Sequence, residues 1–271
     1  MEKNNRTLSL SVLSGKGGVG KTSLAVNLAF GLHDMNMNTL LVDCDLGLAN
    51  LDVMLGVSPG KNIHDVLKHG LSLEETVCRL EKRGLDLIPS ASGVVGVPEL
   101  DEGRRLFIIE KLNNFLSDYR FLIMDLGAGI GPTVLSFARM THRRVVVVTP
   151  EPTSLTDAYA LIKVLFMRHG VADFDVLVNM ARSEEEAVAG YERIRAACDK
   201  FLGLPVRYLG HVRRDDMVSK SVSRQKALVR FAPRSPAAED ISRIVERLSE
   251  MRADARDDIA GVSPLSPDRA D

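Results

Sequence analysis

Short runs of apolar residues alternate along this chain with longer amphipathic stretches. Some runs, such as the four valines at 145–148, are apolar at every position, which is typical of strands buried on both faces of a parallel sheet. The runs predict strands over residues 8–13, 39–42, 85–88, 121–124, 145–149, 176–178 and 206–209. The amphipathic stretches predict helices over residues 23–37, 72–79, 104–116, 132–140, 154–169, 184–201, 216–226 and 236–251.

The alternation predicts an α/β fold, a three-layer sandwich in which helices cover both faces of a mostly parallel central sheet. A chain of 271 residues is long enough for one large domain, which we place at residues 1–252. Ser235 and Pro236 suit the N-cap and the first position of the last helix. Residues 253–271 carry five Asp against two Arg and predict a disordered acidic tail.

A glycine-rich segment follows the first predicted strand and opens into the first predicted helix. Strand, glycine-rich loop, Lys-Thr and helix is the layout of a phosphate-binding P-loop. Glycines let backbone N–H groups turn around phosphate oxygens, and the helix N-terminus adds partial positive charge. We expect Lys21 to neutralise the outer phosphates, the Thr22 hydroxyl to hold Mg²⁺, and Lys16 to reach a phosphate in a facing subunit. The candidate phosphate-binding residues are Lys16, Gly17, Gly18, Val19, Gly20, Lys21, Thr22 and Ser23.

Three carboxylates stand at the ends of predicted strands. Asp43 and Asp45 follow the strand at 39–42, and Asp125 follows the strand at 121–124. Ligands of open α/β sheets bind at the carboxyl ends of the strands, so these side chains are expected to face a bound nucleotide. Of Asp43 and Asp45, one would hold Mg²⁺ through water and the other would orient an attacking water. Asp125 is in the Walker B arrangement, with a carboxylate that reaches Mg²⁺.

Residues 16–22 resemble the deviant Walker A motif of the MinD/ParA ATPases, and the resemblance spans residues 6–250. It implies a P-loop NTPase fold that binds ATP, ADP and Mg²⁺, and an ATP-dependent homodimer in which Lys16 acts across the interface. By this resemblance Asp45 takes the catalytic role with Lys16 and Lys21, while Thr22, Asp43 and Asp125 surround the metal. The family often has Thr where Leu126 stands here, so the contribution of that hydroxyl is absent.

The resemblance also places base recognition at two strand ends. Asn179 ends one strand, and the loop after the next strand supplies Val212, Arg213 and Asp215. An Asn at a strand end is also common in turns that bind nothing, and the second loop often carries Pro where Arg213 stands. Glu151 and Asp157 are candidate contacts to the partner subunit, and helix capping would explain the same segment.

Residues 45–56, 177–180 and 233–238 resemble the FlhG (FleN) branch of the family, which regulates flagellar number. The resemblance implies a cytoplasmic ATPase with a slow basal rate, a partner in flagellar or polar machinery, and recruitment to a cell pole. Members often carry an activating N-terminal motif, but only about six residues precede the first strand here. The last helix has no aromatic residue and the tail is acidic, so membrane targeting by this chain alone is not expected.

Basic residues between positions 206 and 235 favour a different partner, because eight Lys or Arg stand there against two Asp. On one face they would hold DNA phosphates, as in ParA-like partition ATPases, although a solvated basic face explains the same pattern. A nucleotide-gated scaffold with little turnover and a small-molecule kinase or ligase would also use a P-loop of this kind. The candidate DNA contacts are Arg213, Arg214, Lys220, Arg224, Lys226 and Arg230.

Composition excludes several further classes of protein. The formal net charge of −1 gives no bulk attraction to nucleic acid or membranes. The cysteines at 44, 78 and 198 form no CxxC pair, which argues against a disulfide framework, a zinc site or an iron–sulfur carrier and fits a reducing cytosol. No apolar stretch reaches the roughly 20 residues that a membrane span needs.

Overall fold

The computed structural model describes residues 7–45, 50–90 and 100–266. Within them, eight strands form one sheet in the order β3-β4-β2-β5-β1-β6-β7-β8. All neighbouring strands are parallel except β3 and β4, which pair antiparallel at one edge. The strands are β1 (Leu8–Ser14), β2 (Thr39–Cys44), β3 (Cys78–Arg79), β4 (Leu85–Ile88), β5 (Phe121–Ala128), β6 (Arg143–Val148), β7 (Phe174–Ala181) and β8 (Arg207–Arg213).

Helices lie on both faces of this sheet, which confirms the predicted three-layer α/β architecture. Side chains alternate along β1, where Leu10 and Val12 join the apolar layer under α1 and α10 and Leu13 joins the layer under α4 to α7. Among the helices described, none is both long and apolar enough to cross a lipid bilayer. The helices are α1 (Lys21–Asp34), α2 (Leu51–Leu55), α3 (Ile63–His69), α4 (Glu102–Phe115), α5 (Pro132–Met140), α6 (Pro152–His169), α7 (Glu184–Leu202), α8 (Asp216–Ser223), α9 (Leu228–Phe231) and α10 (Pro236–Asp254).

The prediction of a helix over residues 72–79 is wrong. Only Glu74–Thr76 form a single 3₁₀ turn, and Cys78 and Arg79 pair with β4 at the sheet edge. Edge pairing satisfies the backbone groups of this segment in place of helical bonds. The short helices α2, α3 and α9 were not predicted, because four to seven residues are too few to show a helical period.

The structure also differs from the expected disordered tail over residues 253–266. Helix α10 extends to Asp254, and the chain then folds back so that Ile259 and Leu265 are buried. The Asn113 side chain clasps the backbone of Leu265, donating to its carbonyl at 2.8 Å and accepting from its N–H at 2.9 Å. The buried side chains of Ile259 and Leu265 and these two hydrogen bonds hold the segment against the rest of the domain. Residues 267–271, the rest of the predicted tail, lie outside the described residues.

Candidate functional site

The glycine-rich loop joins β1 to α1 and carries residues 15–20. Gly18 and Gly20 have φ of 78° and 87°, a left-handed conformation that favours glycine. Val19 between them is buried in the apolar layer under α1, which anchors the loop. Among the described residues no side chain caps the start of α1, so its first N–H groups are available to an anion. This geometry suits the phosphate-binding role predicted for residues 16–23.

Lys16 lies at the mouth of this loop and is half-exposed. Its Nζ lies 3.2 Å from Glu151 Oε2 and 3.2 Å from Thr153 Oγ1, at the start of α6. Within one protomer the ammonium is therefore held by two oxygens of α6. Glu151, predicted as a partner contact, is here a contact of Lys16 in the same chain.

Lys21 and Asp125 form a buried pair below the loop. Lys21 Nζ lies 3.7 Å from Asp125 Oδ1, and both side chains are almost completely buried. Burial raises the pKa of Asp125 to about 6, while Lys21 and Thr22 hold that pKa down. The adjacent Leu126, where the resembled family often has Thr, is fully buried in the core.

Asp43 lies beside Asp125, because the two residues are register partners on the paired strands β2 and β5. The Asp43 carboxylate accepts the N–H of Asp45 at 3.0 Å and that of Leu51 at 3.5 Å. Burial, together with the negative charge of Asp125, raises the pKa of Asp43 to about 7. Two buried carboxylates at adjacent strand ends form a site whose charge favours a cation.

Asp45 lies across from the glycines that follow Asp125. A Cβ built on Gly127 would lie 3.6 Å from Asp45 Oδ1. Gly129, with φ of 93°, donates its N–H to Ser14 O at 2.9 Å, which ties this second loop to the end of β1. Asp45 and the segment after Asp125, which are far apart in sequence, thus lie close together. Residues 46–49 lie outside the described residues.

The donor set fits Mg²⁺. Asp125 Oδ1 is buried and has no hydrogen-bond partner among the described atoms. Mg²⁺ is commonly bound by one or two carboxylates together with substrate phosphates and waters, rather than by a cage of protein ligands. In the described residues, no group of three or more His, Cys, Asp or Glu side chains gathers as a metal site. Asp43, Asp125 and Thr22 are the residues that would hold the ion.

A cleft of about 540 Å³ opens beside the P-loop between the ends of β7 and β8. It is lined by Asn179, Val212, Arg213 and Asp215, the residues predicted to contact the base, and by Gly20. The Asn179 Nδ2 donates to Val19 O at 2.8 Å, and a Cβ on Gly20 would lie 2.3 Å from that nitrogen. Asn179 therefore supports the P-loop as well as lining the cleft, a contact that the sequence did not predict.

The guanidinium of Arg213 donates to both carboxylate oxygens of Asp240 on α10, at 2.7 Å and 2.9 Å. This differs from the prediction of a side chain available to a base or to DNA. Asp215 accepts the N–H of Met217 at 2.8 Å and that of Ala237 at 3.2 Å, so it joins α8 to α10. Both side chains therefore help to hold the wall of the cleft.

The predicted DNA contacts divide into two groups. Arg213 and Arg230 are ion-paired, the latter with Asp34 at the end of α1. The other four are exposed, and in the described part of the chain no ion pair engages them. All four follow β8 in sequence: Arg214 lies just before α8, Lys220 lies on it, and Arg224 and Lys226 lie just beyond it.

Sequence reasoning missed two residues at this site. Gly15 packs directly against α6, since a Cβ there would lie 2.3 Å from the backbone of Asp157. Met180 follows Asn179 with a φ of 59° and lines the cleft. Gly15 adjoins the loop motif and was within reach of sequence reasoning, whereas no local pattern indicates the conformation of Met180.

The phosphate loop at the end of β1, with an acidic strand end beside it, places the chain among the P-loop nucleoside triphosphatases. A family model described as an AAA domain matches residues 7–167. The chain is 39% identical to the antiactivator FleN of Pseudomonas aeruginosa over 229 residues, 84% of this chain and 81% of FleN. It is 34% identical to the flagellum site-determining protein YlxH of Helicobacter pylori over 250 residues, 90% of this chain and 82% of YlxH.

The fold matches the septum site-determining protein MinD from Pyrococcus horikoshii, solved as a complex with Mg-ADP, with a TM-score of 0.73 and 24% identity. The match covers 90% of this chain and 97% of that one. The chain belongs to the MinD/ParA family of P-loop ATPases.

Proposed function

We propose that this protein is an ATP-driven dimerisation switch that regulates the number or placement of flagella. The observation that carries the proposal is the second lysine of the loop, Lys16, exposed at its mouth beside a complete phosphate cradle. FleN is named as an antiactivator and YlxH as a flagellum site-determining protein, and both names support a regulatory role rather than a metabolic one.

The residues divide the work of ATP hydrolysis. The N–H groups at the start of α1 and the Lys21 ammonium bind the phosphates and stabilise the charge that develops on them. Asp45 orients the attacking water from the side of Gly127, and Lys16 of the opposing protomer reaches across to the phosphates. Asp43, Asp125 and Thr22 would hold Mg²⁺, whose charge would offset that of the phosphates.

Exposed apolar side chains at this edge support burial against a second copy of the chain. Val53 on α2 is 61% exposed and Ile130 after β5 is 52% exposed. Both follow strands whose carboxyl ends carry the site. Covering both side chains with a second copy of the chain would remove their apolar surface from water, which is favourable. A dimer formed through this face would also place Lys16 next to the partner's loop.

The decisive experiment is the mass of the protein in solution with ADP–Mg²⁺ and with ATP–Mg²⁺. We expect a monomer with ADP and a dimer with ATP, and we expect Asp45→Ala to trap the dimer because hydrolysis releases it. Lys16→Ala should remain a monomer with either nucleotide. If the mass of all three proteins is the same with ADP as with ATP, the proposed dimerisation switch is contradicted.

The basal rate, the partner and the location in the cell follow from the same mechanism. We propose a slow basal rate, because Lys16 completes the site only in the dimer, and a protein of the flagellar or polar machinery as the partner. A fluorescent fusion of the wild type should then concentrate at a pole, and the Lys16→Ala fusion should remain diffuse. Equal distribution of the two fusions would contradict recruitment by the ATP-bound dimer.

DNA binding is a second candidate function, which the exposed basic residues Arg214, Lys220, Arg224 and Lys226 favour. Exposed Lys and Arg side chains bind phosphates without sequence preference, and these four lie on α8 or within three residues of its ends. Replacing Arg224 and Lys226 with Glu should abolish any ATP-dependent retention on DNA, whereas Arg230→Glu, at a residue already paired with Asp34, should affect it less. Unchanged retention in the double variant would exclude this surface.

A further inference from the structure

Met180 adopts a backbone conformation that is rare for its residue type. Its φ is 59°, and in the described residues only Asn36 and Gln225 share a left-handed conformation among residues other than glycine. For a long side chain this conformation costs on the order of 1 kcal/mol, and it persists only where the surrounding structure imposes it. Residues held in this way often lie at ligand sites.

A β-bulge imposes the conformation. The register of β7 against β8 passes from Asn179 opposite Val212 to Ala181 opposite Arg213, which leaves Met180 as the extra residue. The N–H of Arg214 donates to Ala181 O at 2.8 Å and closes the ladder beyond the bulge. The bulge turns the Met180 side chain out of the sheet.

The exposed side chain lies over the phosphate loop. Met180 is 42% exposed, although Asn179 is 7% exposed and Ala181 is completely buried. A Cβ built on Gly20 would lie 3.4 Å from Met180 Cε, so the terminal methyl covers the last glycine of the loop. Met180 therefore forms an apolar wall of the cleft at the point where the cleft meets the phosphate-binding loop.

We propose that Met180 is the platform on which the nucleobase packs, a role that rests on the proposed binding of nucleotide at this loop. The thioether is polarisable and packs favourably against aromatic rings. Phosphates held at the start of α1 would leave the base in the adjacent cleft, beside Met180 and Asn179. Every base presents a flat π face, so the platform adds affinity without distinguishing one base from another.

The test compares ligands with and without a base. Titration calorimetry would give the dissociation constants of ADP, GDP and inorganic pyrophosphate, each with Mg²⁺, for the wild type and Met180→Gly. Glycine accepts the left-handed conformation, so the variant should fold and be at least as stable as the wild type. We expect the dissociation constants of ADP and GDP to rise by the same factor, about three- to tenfold, and that of pyrophosphate to stay unchanged.

Two controls separate the platform from changes in the backbone. Met180→Leu keeps an apolar side chain and should retain most of the affinity for ADP. Asn36→Gly relaxes a left-handed residue at the exposed end of α1 and should leave all three constants unchanged.

An equal loss for pyrophosphate and ADP would overturn the proposal, because Met180 would then act on the shape of the phosphate loop. An unchanged constant for ADP in Met180→Gly would also overturn it. Failure of the wild type itself to bind ADP would instead contradict the proposed function, so the two failures are distinguishable.

Discussion

Lys16 Nζ lies 3.2 Å from Glu151 Oε2 in the same chain, so the lysine that we propose to act across a dimer is held by its own protomer in this structure. Both side chains are substantially exposed, at 41% and 66%. An exposed pair of this kind contributes little to stability. Lys16 can therefore exchange Glu151 for a phosphate of the facing subunit at small cost.

We expect Lys16→Ala to impair ATP hydrolysis while leaving the stability of the fold almost unchanged. The free energy of unfolding should change by less than about 1 kcal/mol, whereas ATP hydrolysis should fall by at least about tenfold because a charge that stabilises the transition state is lost. Urea unfolding and a phosphate-release assay measure the two quantities. Lys61→Ala, which removes another exposed pair at 3.0 Å from Glu75, is the matched control and should affect neither. Equal hydrolysis by the wild type and Lys16→Ala would refute the proposed mechanism.

The buried pair of Lys21 and Asp125 predicts a dependence of stability on pH. Burial raises the pKa of Asp125 from 3.8 to about 6, so the folded state favours the protonated acid and loses stability as pH rises through that range. Lys21→Met removes the positive charge that restrains this rise in pKa. The loss of stability then continues above pH 6.

We therefore expect Lys21→Met to be little less stable than the wild type at pH 5 and about 3 kcal/mol less stable at pH 8. Urea unfolding at both values, without nucleotide or Mg²⁺, provides the measurement. Lys61→Met is the control, because its partner Glu75 is exposed. If the wild type and Lys21→Met differ in free energy of unfolding by the same amount at both pH values, Lys21 does not compensate the charge of Asp125.

We expect replacement of Asn179 to weaken the binding of the phosphates as well as that of the base. Its Nδ2 donates to Val19 O at 2.8 Å, and the Asn179 side chain is buried. Asn179→Ala leaves the carbonyl in the loop without this donor, which should cost about 1–3 kcal/mol of stability. Pyrophosphate and ADP should both bind more weakly, as titration calorimetry would measure. A loss confined to ADP would show instead that Asn179 serves the base alone.

The contrast between Asn179 and Arg213 shows what the sequence could predict. The parallel sheet and the P-loop were predictable because both are local signals: apolar runs buried on two faces, and glycines between a strand and a Lys-Thr pair. The bond from Asn179 to Val19 joins residues 160 positions apart, and Arg213 is captured by Asp240 on a later helix. Such pairings depend on the register of β7 against β8 and on how α10 packs, neither of which a local pattern contains.

The same limit explains the segment after α10. Residues 253–266 carry three Asp and one Arg and show no helical or strand period, yet Leu265 is buried and its backbone pairs with Asn113 on α4. The partner residue lies on a distant helix, so no local pattern indicates this packing.

We expect Leu265→Ala to lower the free energy of unfolding by about 3 kcal/mol, since it leaves a cavity between the segment and the core. Val262→Ala, three residues earlier and 38% exposed, should change it by less than about 0.5 kcal/mol. Urea unfolding of both variants checks the packing of this segment. Equal stabilities would contradict the buried position of Leu265.

Gln225 links the region after α8 to α2, the first helix after β2. Its Nε2 donates to Val53 O at 2.9 Å on α2, a helix that begins six residues after Asp45. Gln225→Ala removes that bond, and both residue types bear similar strain at the φ of 54°, so the backbone effect is small. The loss of one partly exposed hydrogen bond should make local opening of α2 more frequent.

Hydrogen exchange measures that opening directly. The N–H of Met54 donates to Asn50 O and that of Val57 to Asp52 O, at the two ends of α2. Both amides should exchange about three- to tenfold faster in Gln225→Ala than in the wild type. Arg224→Ala, at the neighbouring exposed position, is the matched control and should leave both rates unchanged. ATP hydrolysis should fall with the loss of protection, because the N–H of Leu51 at the start of α2 donates to the Asp43 carboxylate at the site. Faster exchange with unchanged hydrolysis would show that the site does not depend on this support, and unchanged exchange would show that the bond from Gln225 does not stabilise α2.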